Sequence, residues 1–329
     1  MTDKELSKGI MVDAESAVTP APAPVRLGTH FFNQQYLFAF ATQAEVLQYV
    51  RTQTLSEELS RLSEIFSAWQ HVQPRVADLI GREAGIADKI QTTEIPTQYK
   101  PKLDAIATDN LFQRTFSHLP VSFGVVEIDK LVAPQRTVNL DYVKRLVARC
   151  PKNPTQDELL DICVSPKREM EPIQHLEVAP NTHVFSSPNS DIRFLGAFVK
   201  QLTTEDLNHA VLGGVPAAAV IAFVGYGGAP VNVLQSGPRI VLNNGFHRVY
   251  ALRSIGVTEI PVVIQHVGNP QLEFPPQVAG LPKEYLLDVP RPVLMKDFFE
   301  EGFTISLKVR DRIKMVTVGI VLNQYDIPA

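Results

Sequence analysis

The sequence predicts an α+β fold in which a mixed sheet with helices is preceded by a helical region and followed by a β-hairpin. Three observations predict it. Apolar residues recur at helical spacing early in the chain, a strand-turn-helix-strand pattern comes later, and two alternating β-branched segments lie near the C-terminus. We expect a flexible leader over residues 1–25, a helical region over 26–120, the mixed-sheet domain over 121–269 and a packed extension over 270–329.

Composition supports a globular protein. The 329 residues are 45% apolar and 20% charged, which excludes a wholly disordered chain. Thirty-one basic against thirty-five acidic residues leave a net charge of -4, so no chain-wide basic field exists to hold a nucleic acid. Cys150 and Cys163 provide neither a disulfide framework nor a four-thiolate zinc site, which is typical of a reducing compartment. We therefore expect a cytoplasmic protein.

One segment requires a test for membrane spanning, because no Asp, Glu, Lys or Arg occurs from Ala210 through Pro238. Glycines and prolines interrupt this run, and its mainly apolar stretch from Val215 to Tyr226 is too short for a helix to cross a bilayer core of about 30 Å. The segment predicts a buried strand with its turns. No membrane partner is expected.

Residues 33–91 contain few helix breakers, and their apolar residues follow a helical period. Thr54 and Glu57 have the spacing of a capping box, so a helix is predicted to begin there, and Pro74 is predicted to begin another. The apolar face of this predicted helix must be buried. It either covers the neighbouring domain or forms an oligomer surface. The apolar positions of the first helix are Leu55, Leu59, Leu62, Phe66 and Trp69.

The domain over residues 121–269 is predicted from strand and helix signals in alternation. Residues 125–128 read as a strand, and Asn139 is a candidate N-cap for the helix that follows. Further strands are predicted over residues 182–186, 193–202 and 217–226 from their β-branched and aromatic content.

The most informative stretch runs from Arg239 to Gly256. A strand leads into the turn Asn243-Asn244-Gly245, and a helix with a C-terminal glycine follows. Residues 258–264 form the next strand, so a right-handed crossover within one sheet is expected. The first amides of a helix lack partners and can receive a phosphate. His247 and Arg248 would add an imidazole and a guanidinium that grips two phosphate oxygens.

At these residues the sequence resembles the ParB/sulfiredoxin-like superfamily, whose nucleotide-binding motif has the form Gly-x-His/Arg-Arg at the start of a helix. Residues 126–136 and the Asn139 helix are also similar to the family's first strand, basic turn and first helix. The resemblance implies the ParB N-terminal-like fold and a bound nucleoside di- or triphosphate with Mg²⁺. It implies that the nucleotide is held by Asn244, Gly245, Phe246, His247, Arg248 and Arg136.

Three departures limit the activity that this resemblance implies. Phe246 occupies the position of the reactive cysteine of sulfiredoxins, so peroxiredoxin repair is not expected. Chromosome-partitioning members carry Gly-Glu-Arg-Arg and a following helix-turn-helix, which are missing here. Free-serine kinases of this fold have a catalytic carboxylate nearby, whereas Asn243 and Asn244 precede the glycine in this chain.

The main functional expectation is therefore a nucleotide-binding protein, with NTPase or phosphotransferase activity left open. No acid-base pair is identifiable, so the catalytic residue is unknown and His247 is the candidate. The eight histidines include no pair at metal-binding spacing, and no metal site is expected. The alternatives are an assembly or scaffold factor that keeps the fold without catalysis and a DNA-associated partition-like factor. Net charge and the missing reader helices disfavour the second.

The C-terminal extension begins with prolines that predict an extended, docked segment. Residues 303–309 and 313–322 alternate around the polar turn Arg310-Asp311-Arg312, which predicts a β-hairpin. This hairpin either adds an edge to the sheet or pairs with a strand of another chain. The partner expectation is thus a homo-oligomer or a protein bound through the N-terminal helices or the C-terminal hairpin.

Overall fold

The computed structural model describes residues 31–89, 92–166, 172–189, 191–203, 217–324 and 326, so the predicted leader over residues 1–25 lies outside the described residues. Helices and small sheets alternate along the chain, which confirms a mixed α+β protein. The chain divides into two compact units. Of the described residues, the larger unit contains those within 31–166 and 225–312, and the smaller unit contains those within 172–224 and 313–326.

Ten α-helices and fourteen strands are assigned within the described residues. The strands are β1 (Phe31–Tyr36), β2 (Val121–Glu127), β3 (Thr137–Asn139), β4 (Gln174–Ala179), β5 (Thr182–Ser187), β6 (Ile192–Gln201), β7 (Ala218–Tyr226), β8 (Asn232–Ser236), β9 (Arg239–Asn244), β10 (Glu259–Val267), β11 (Gln277–Val278), β12 (Leu281–Pro282), β13 (Ile305–Arg310) and β14 (Lys314–Gly319). The helices are α1 (Gln43–Gln53), α2 (Ser56–Leu59), α3 (Leu62–Arg82), α4 (Lys100–Ala107), α5 (Asn110–Thr115), α6 (Leu140–Arg149), α7 (Gln156–Cys163), α8 (Phe246–Ser254), α9 (Pro270–Glu273) and α10 (Lys283–Asp288).

The N-terminal region of the larger unit is mainly helical, as predicted, but its boundaries differ. The capping box belongs to Thr42 and Glu45 at the start of α1, whereas Thr54 is the C-cap of that helix. Pro74 lies inside α3 and does not begin a helix. A proline interrupts one helical hydrogen bond, yet Val72 and Val76 on either side of it are buried, and this packing holds α3 together across the interruption.

A four-stranded sheet in the order β2-β10-β8-β9 forms the centre of the larger unit. β10 runs parallel to β8 and antiparallel to β2, and β9 runs antiparallel to β8. The strands that flank α8 are therefore antiparallel and separated by β8. The expected right-handed crossover between parallel strands is wrong, because the apolar pattern of each strand does not specify its neighbour.

A second sheet of the larger unit, in the order β13-β1-β3, corrects two further predictions. β1 is a strand at the edge of the region predicted to be helical. The C-terminal hairpin is absent, since β13 pairs with β1 while β14 pairs with β5. Within residues 270–289, which were expected to be extended, the chain also forms the short helices α9 and α10.

The smaller unit contains a three-stranded antiparallel sheet in the order β14-β5-β4 and a two-stranded ribbon of β6 and β7. β4 and β5 are adjacent in the chain, and Asn181 in their turn has a φ of 61°, the left-handed conformation that asparagine tolerates. Residue 226, at the end of β7, is assigned to the larger unit.

Across the described ranges, every helix is too short or too polar to span a bilayer.

Candidate functional site

The predicted motif lies where β9 ends and α8 begins. Ile240 and Leu242 are fully buried and fix the strand in the sheet, and Gly245 then turns the chain with a φ of 92°. A Cβ at Gly245 would stand 2.7 Å from Cγ2 of Val231. Glycine is therefore required here both by the left-handed backbone and by the close approach of Val231.

Asn243 and Asn244 tie the turn to the segment that leads into β8. Nδ2 of Asn243 donates to Oδ1 of Asn232 at 2.8 Å, and Nδ2 of Asn244 donates to the carbonyl oxygen of Gly228. These amides hold the turn in place through protein acceptors. A phosphate would have to compete with those acceptors for the side chain of Asn244.

His247 bonds to the first turn of a different helix. Its Nε2 accepts a hydrogen bond from the main-chain N–H of Asn139 at 3.1 Å. The imidazole ring lies edge-on to the ring of Tyr142, with centroids 5.3 Å apart. Burial lowers the pKa of His247 to about 4. The imidazole is consequently neutral at pH 7, with its proton on Nδ1, and carries no positive charge toward an anion.

The guanidinium of Arg248 is bound by main-chain carbonyls. Nη1 donates to the carbonyl oxygen of Ile162 at 3.0 Å, and Nη2 donates to that of Ala229. Ile162 belongs to α7, so Arg248 joins the start of α8 to α7 and to the segment before β8. Each such charge-assisted bond contributes on the order of 1.5 to 3 kcal/mol, which makes Arg248 a structural cross-link.

Phe246 and Arg136 also have protein partners. Phe246 is buried, and its ring packs edge-on against Phe298 with centroids 5.4 Å apart. Arg136 forms an ion pair with Glu45, Nη1 to Oε1 3.1 Å. Burial opposes ionisation of Glu45, but hydrogen bonds from Thr42 and the charge of Arg136 outweigh it, so the pKa of Glu45 lies below its usual value. Nε of Arg136 is buried and finds no acceptor within the described ranges.

The main chain at the start of α8 has the unbonded N–H groups, within the described residues, from which a phosphate site was predicted. The N–H groups of Phe246 and His247 meet no acceptor in the described part of the chain, as expected for the first turn of a helix. The structure thus brings residues 244–248 together in one turn. Arg136 bonds to α1 instead.

The structure also shows features that were not predicted from the sequence. A cavity of about 320 Å³ lies away from the motif and is lined by Pro120, Gln235, Gly237, His266, Val267, Gly268 and Glu273. Nε2 of His266 stands 2.7 Å from Oγ of Ser122 on the neighbouring strand. Cys163 is fully buried, and burial raises the pKa of its thiol to about 12, so this cysteine is not a nucleophile at neutral pH.

A histidine pair lies on the sheet of the smaller unit. Nε2 of His175 on β4 stands 3.0 Å from Nδ1 of His183 on β5. The two residues are eight apart in the chain, a spacing that differs from the HExxH and His-x-His motifs, and the pairing of β4 with β5 brings them together. Recognition of the β4–β5 turn in the sequence would have placed them on one face.

Comparison of this chain with protein-family models, with curated proteins and with solved structures finds no match. The fold and site geometry define a mixed α+β protein with a strand-turn-helix element at residues 239–254. The superfamily resemblance stays a prediction from the motif.

Proposed function

We propose that this chain is an assembly protein that associates with further copies of itself through apolar strand surfaces of the smaller unit. The observation that carries the proposal is the distribution of exposed apolar side chains. Thirteen of the eighteen large apolar side chains that are exposed in the described chain belong to the smaller unit. Single exposed apolar residues are ordinary, whereas contiguous patches mark interaction surfaces.

The ribbon of β6 and β7 is the strongest part of this surface. Successive residues of a strand point to opposite faces, so Phe194 and Leu195, each about half exposed, place apolar groups on both faces of β6. Val199 and Val220 are 66% and 67% exposed. A two-stranded sheet is marginal in water by itself, and an apolar covering on both faces would stabilise it.

The sheet of β14, β5 and β4 adds a second apolar surface. The pairing register places Leu176 and Met315 on one face, and their exposed fractions are 57% and 65%. Val178, at the register shift in β4, is 54% exposed. The opposite face carries His175, Glu177 and other residues of mixed polarity. The strongly exposed apolar side chains of Leu176 and Met315 share one face, whereas Phe185, Val316 and Val318 on the opposite face are half-buried.

A second copy of the chain is the partner that these surfaces favour. Exposed apolar strands tend to aggregate. A partner that covers these strands as soon as the chain is synthesised prevents this aggregation. Another copy is always present at that time, and symmetric homo-oligomers are the most frequent assemblies of soluble proteins. The proposed surface includes β14 but not the N-terminal helices.

Sedimentation velocity of the full chain over a range of concentrations tests the proposal. We expect an oligomer at micromolar concentration, and we expect the variants Val199→Asp and Val220→Asp to shift it to monomer, because a buried carboxylate at an interface is strongly unfavourable. Leu272→Asp is the matched control. Leu272 is 83% exposed on α9 in the larger unit, so this variant should assemble as the wild type does.

Two results would contradict the proposal. One is a wild-type chain that remains monomeric over the whole concentration range. The other is a pair of β6 and β7 variants that assemble like the wild type while their circular dichroism shows native structure.

Nucleotide binding is the second candidate function, and it is favoured by the N–H groups of Phe246 and His247, which meet no acceptor among the residues that the structure describes. We propose that a phosphate of a nucleoside di- or triphosphate, with Mg²⁺, would bind these main-chain donors. The side chains of His247 and Arg248 contribute less than the motif implies, since both already bond to the main chain. The free donors and the helix dipole are the support for this candidate.

Amide NMR spectra separate this candidate from assembly. Titration with ATP, CTP, GTP and ADP in the presence of Mg²⁺ should shift the amide signals of residues 246 and 247 in a saturable way if phosphate binds there. Amide signals elsewhere in the larger unit serve as the internal reference. The absence of saturable shifts with all four nucleotides would eliminate the candidate and leave the assembly proposal unaffected.

A further inference from the structure

The face of the small sheet opposite the exposed Leu176 and Met315 carries a pair of imidazoles. Residues 175 and 177 of β4 lie opposite residues 185 and 183 of β5, so His175 and His183 are diagonal neighbours on the same face. Their rings have centroids 5.2 Å apart, with 32° between the planes. The ring of His175 also stacks on Phe185 at 4.9 Å, which restricts its orientation.

We propose that His175 and His183 chelate a divalent transition-metal ion, with Glu177 as the next donor. Nε2 of His175 and Nδ1 of His183 already converge to 3.0 Å. Two nitrogens bound to one tetrahedral zinc ion, at Zn–N distances of about 2.0–2.1 Å, stand roughly 3.3 Å apart. The rings need to separate by only a few tenths of an ångström to admit the ion.

A change of tautomer provides the two lone pairs. In the present contact one ring nitrogen donates its proton to the other. When the donor ring moves that proton to its second nitrogen, both facing nitrogens become acceptors and both imidazoles stay neutral. The ion then takes the place of the shared proton, and no net proton is released.

The surrounding charges favour a cation. Glu177 lies directly opposite His183 on β4, while Val318 lies opposite His183 on β14 and Val316 lies opposite Phe185. Glu177 is therefore the one charged residue in the two register rows that contain the histidines. His175 and Glu177 are exposed and His183 is half-buried, so an ion from solution can reach the pair.

The pair forms an open site. No cluster of three or more His, Cys, Asp or Glu side chains positioned to hold a metal exists in the described ranges. Rotation of the Glu177 side chain supplies a third ligand, and water completes the coordination. Imidazole nitrogens suit zinc, copper, nickel and cobalt, whereas magnesium and calcium prefer oxygen ligands.

Calorimetric titration of the untagged full chain with Zn²⁺ and with Co²⁺ tests the proposal. We expect saturable binding of one ion per chain. His175→Gln and His183→Gln should each lower the association constant at least tenfold, and Glu177→Gln should lower it severalfold. His71→Gln is the matched control, because His71 is exposed on α3 of the larger unit and should have no effect.

A measurement on the wild type keeps the test independent of how the variants fold. Diethyl pyrocarbonate acylates accessible imidazoles, and Zn²⁺ should protect His175 and His183 but leave His71 reactive in peptide mass spectra. The proposal is overturned if the wild type binds no ion saturably, if both histidine variants retain full binding, or if Zn²⁺ leaves the two imidazoles as reactive as His71.

Discussion

His247 shows how a residue with an apparent ligand role acquires a structural one. The motif places an imidazole and a guanidinium in the first turn of α8, where an anion would benefit from both. In the folded chain the imidazole accepts a hydrogen bond from the main chain of Asn139, more than one hundred residues away, and Arg248 donates to two carbonyl oxygens. All three bonds depend on segments that the motif does not contain.

The low pKa of His247 predicts a pH dependence of stability. Its pKa of about 4 in the folded chain lies below the value of about 6.5 for an unfolded histidine, so the unfolded state binds the proton more tightly. This contribution is complete above pH 6.5 and is lost as the pH falls toward 4. We expect a loss of up to about 3 kcal/mol over this range.

Urea unfolding at pH 7 and pH 4 measures this effect. His247→Gln cannot be protonated, and its side-chain oxygen can still accept from Asn139, so its stability should fall less on acidification than that of the wild type. His71→Gln, an exposed site, should follow the wild type. If His247→Gln and the wild type lost the same free energy of unfolding between pH 7 and pH 4, His247 would not control this pH dependence.

Helix termini could be predicted from the sequence where a short polar side chain caps a nearby amide. Asn139 was predicted as the N-cap of α6, and its Oδ1 accepts from the main-chain N–H of Tyr142 at 2.9 Å. Thr54 has the residue spacing of a cap but ends α1. The capping pattern occurs at both sites, and the packing of the whole region decided which threonine begins a helix.

The cap at Asn139 predicts a modest loss on substitution. Asn139→Ala removes the acceptor for Tyr142 and should lower the free energy of unfolding by about 1 kcal/mol, whereas Asn139→Asp keeps an acceptor and favours the helix dipole. Chemical denaturation compares the three proteins. If the alanine and aspartate variants were equally stable, the side chain would not act as the cap of α6.

At the scale of the whole molecule, a buried ion network joins the end of α3 to the segment after α10. Arg291 is 1% exposed, and its guanidinium donates to both carboxylate oxygens of Asp297 at 2.9 and 2.6 Å. Its Nε donates to Oε2 of Glu83, and Oε1 of Glu83 accepts a second hydrogen bond from Nζ of Lys296 at 2.6 Å. Removing one member leaves a charge without a partner in a region of low dielectric constant.

Arg291→Met should therefore lower the free energy of unfolding by about 3 to 5 kcal/mol. The double variant Arg291→Met/Asp297→Asn should recover part of that loss, because no unpaired carboxylate remains at position 297. Lys296→Met, at the partly exposed end of the network, should cost less than about 1 kcal/mol. Differential scanning calorimetry can rank the three variants; a double variant less stable than Arg291→Met would contradict the electrostatic explanation.

The sequence by itself determined the elements whose signals are local. The β-forming residues 240–242 and 258–264, a glycine at residue 245 and an asparagine cap at residue 139 were sufficient to predict β9, β10, the turn and α6. These signals reside in the conformational preferences of a few neighbouring residues. The predicted ligand residues 244–248 also lie together, because they belong to a single turn.

Only the tertiary structure decided which strands pair and which polar groups remain free. β13 and β14 are separated by three residues but join different sheets. His175 and His183 come into contact only through the pairing of β4 with β5. Pairing partners are set by burial and by loop closure over long separations, which alternation within one strand does not encode. For the same reason, the motif showed where Arg248 lies, but only the packing of α7 and the segment before β8 showed what its guanidinium binds.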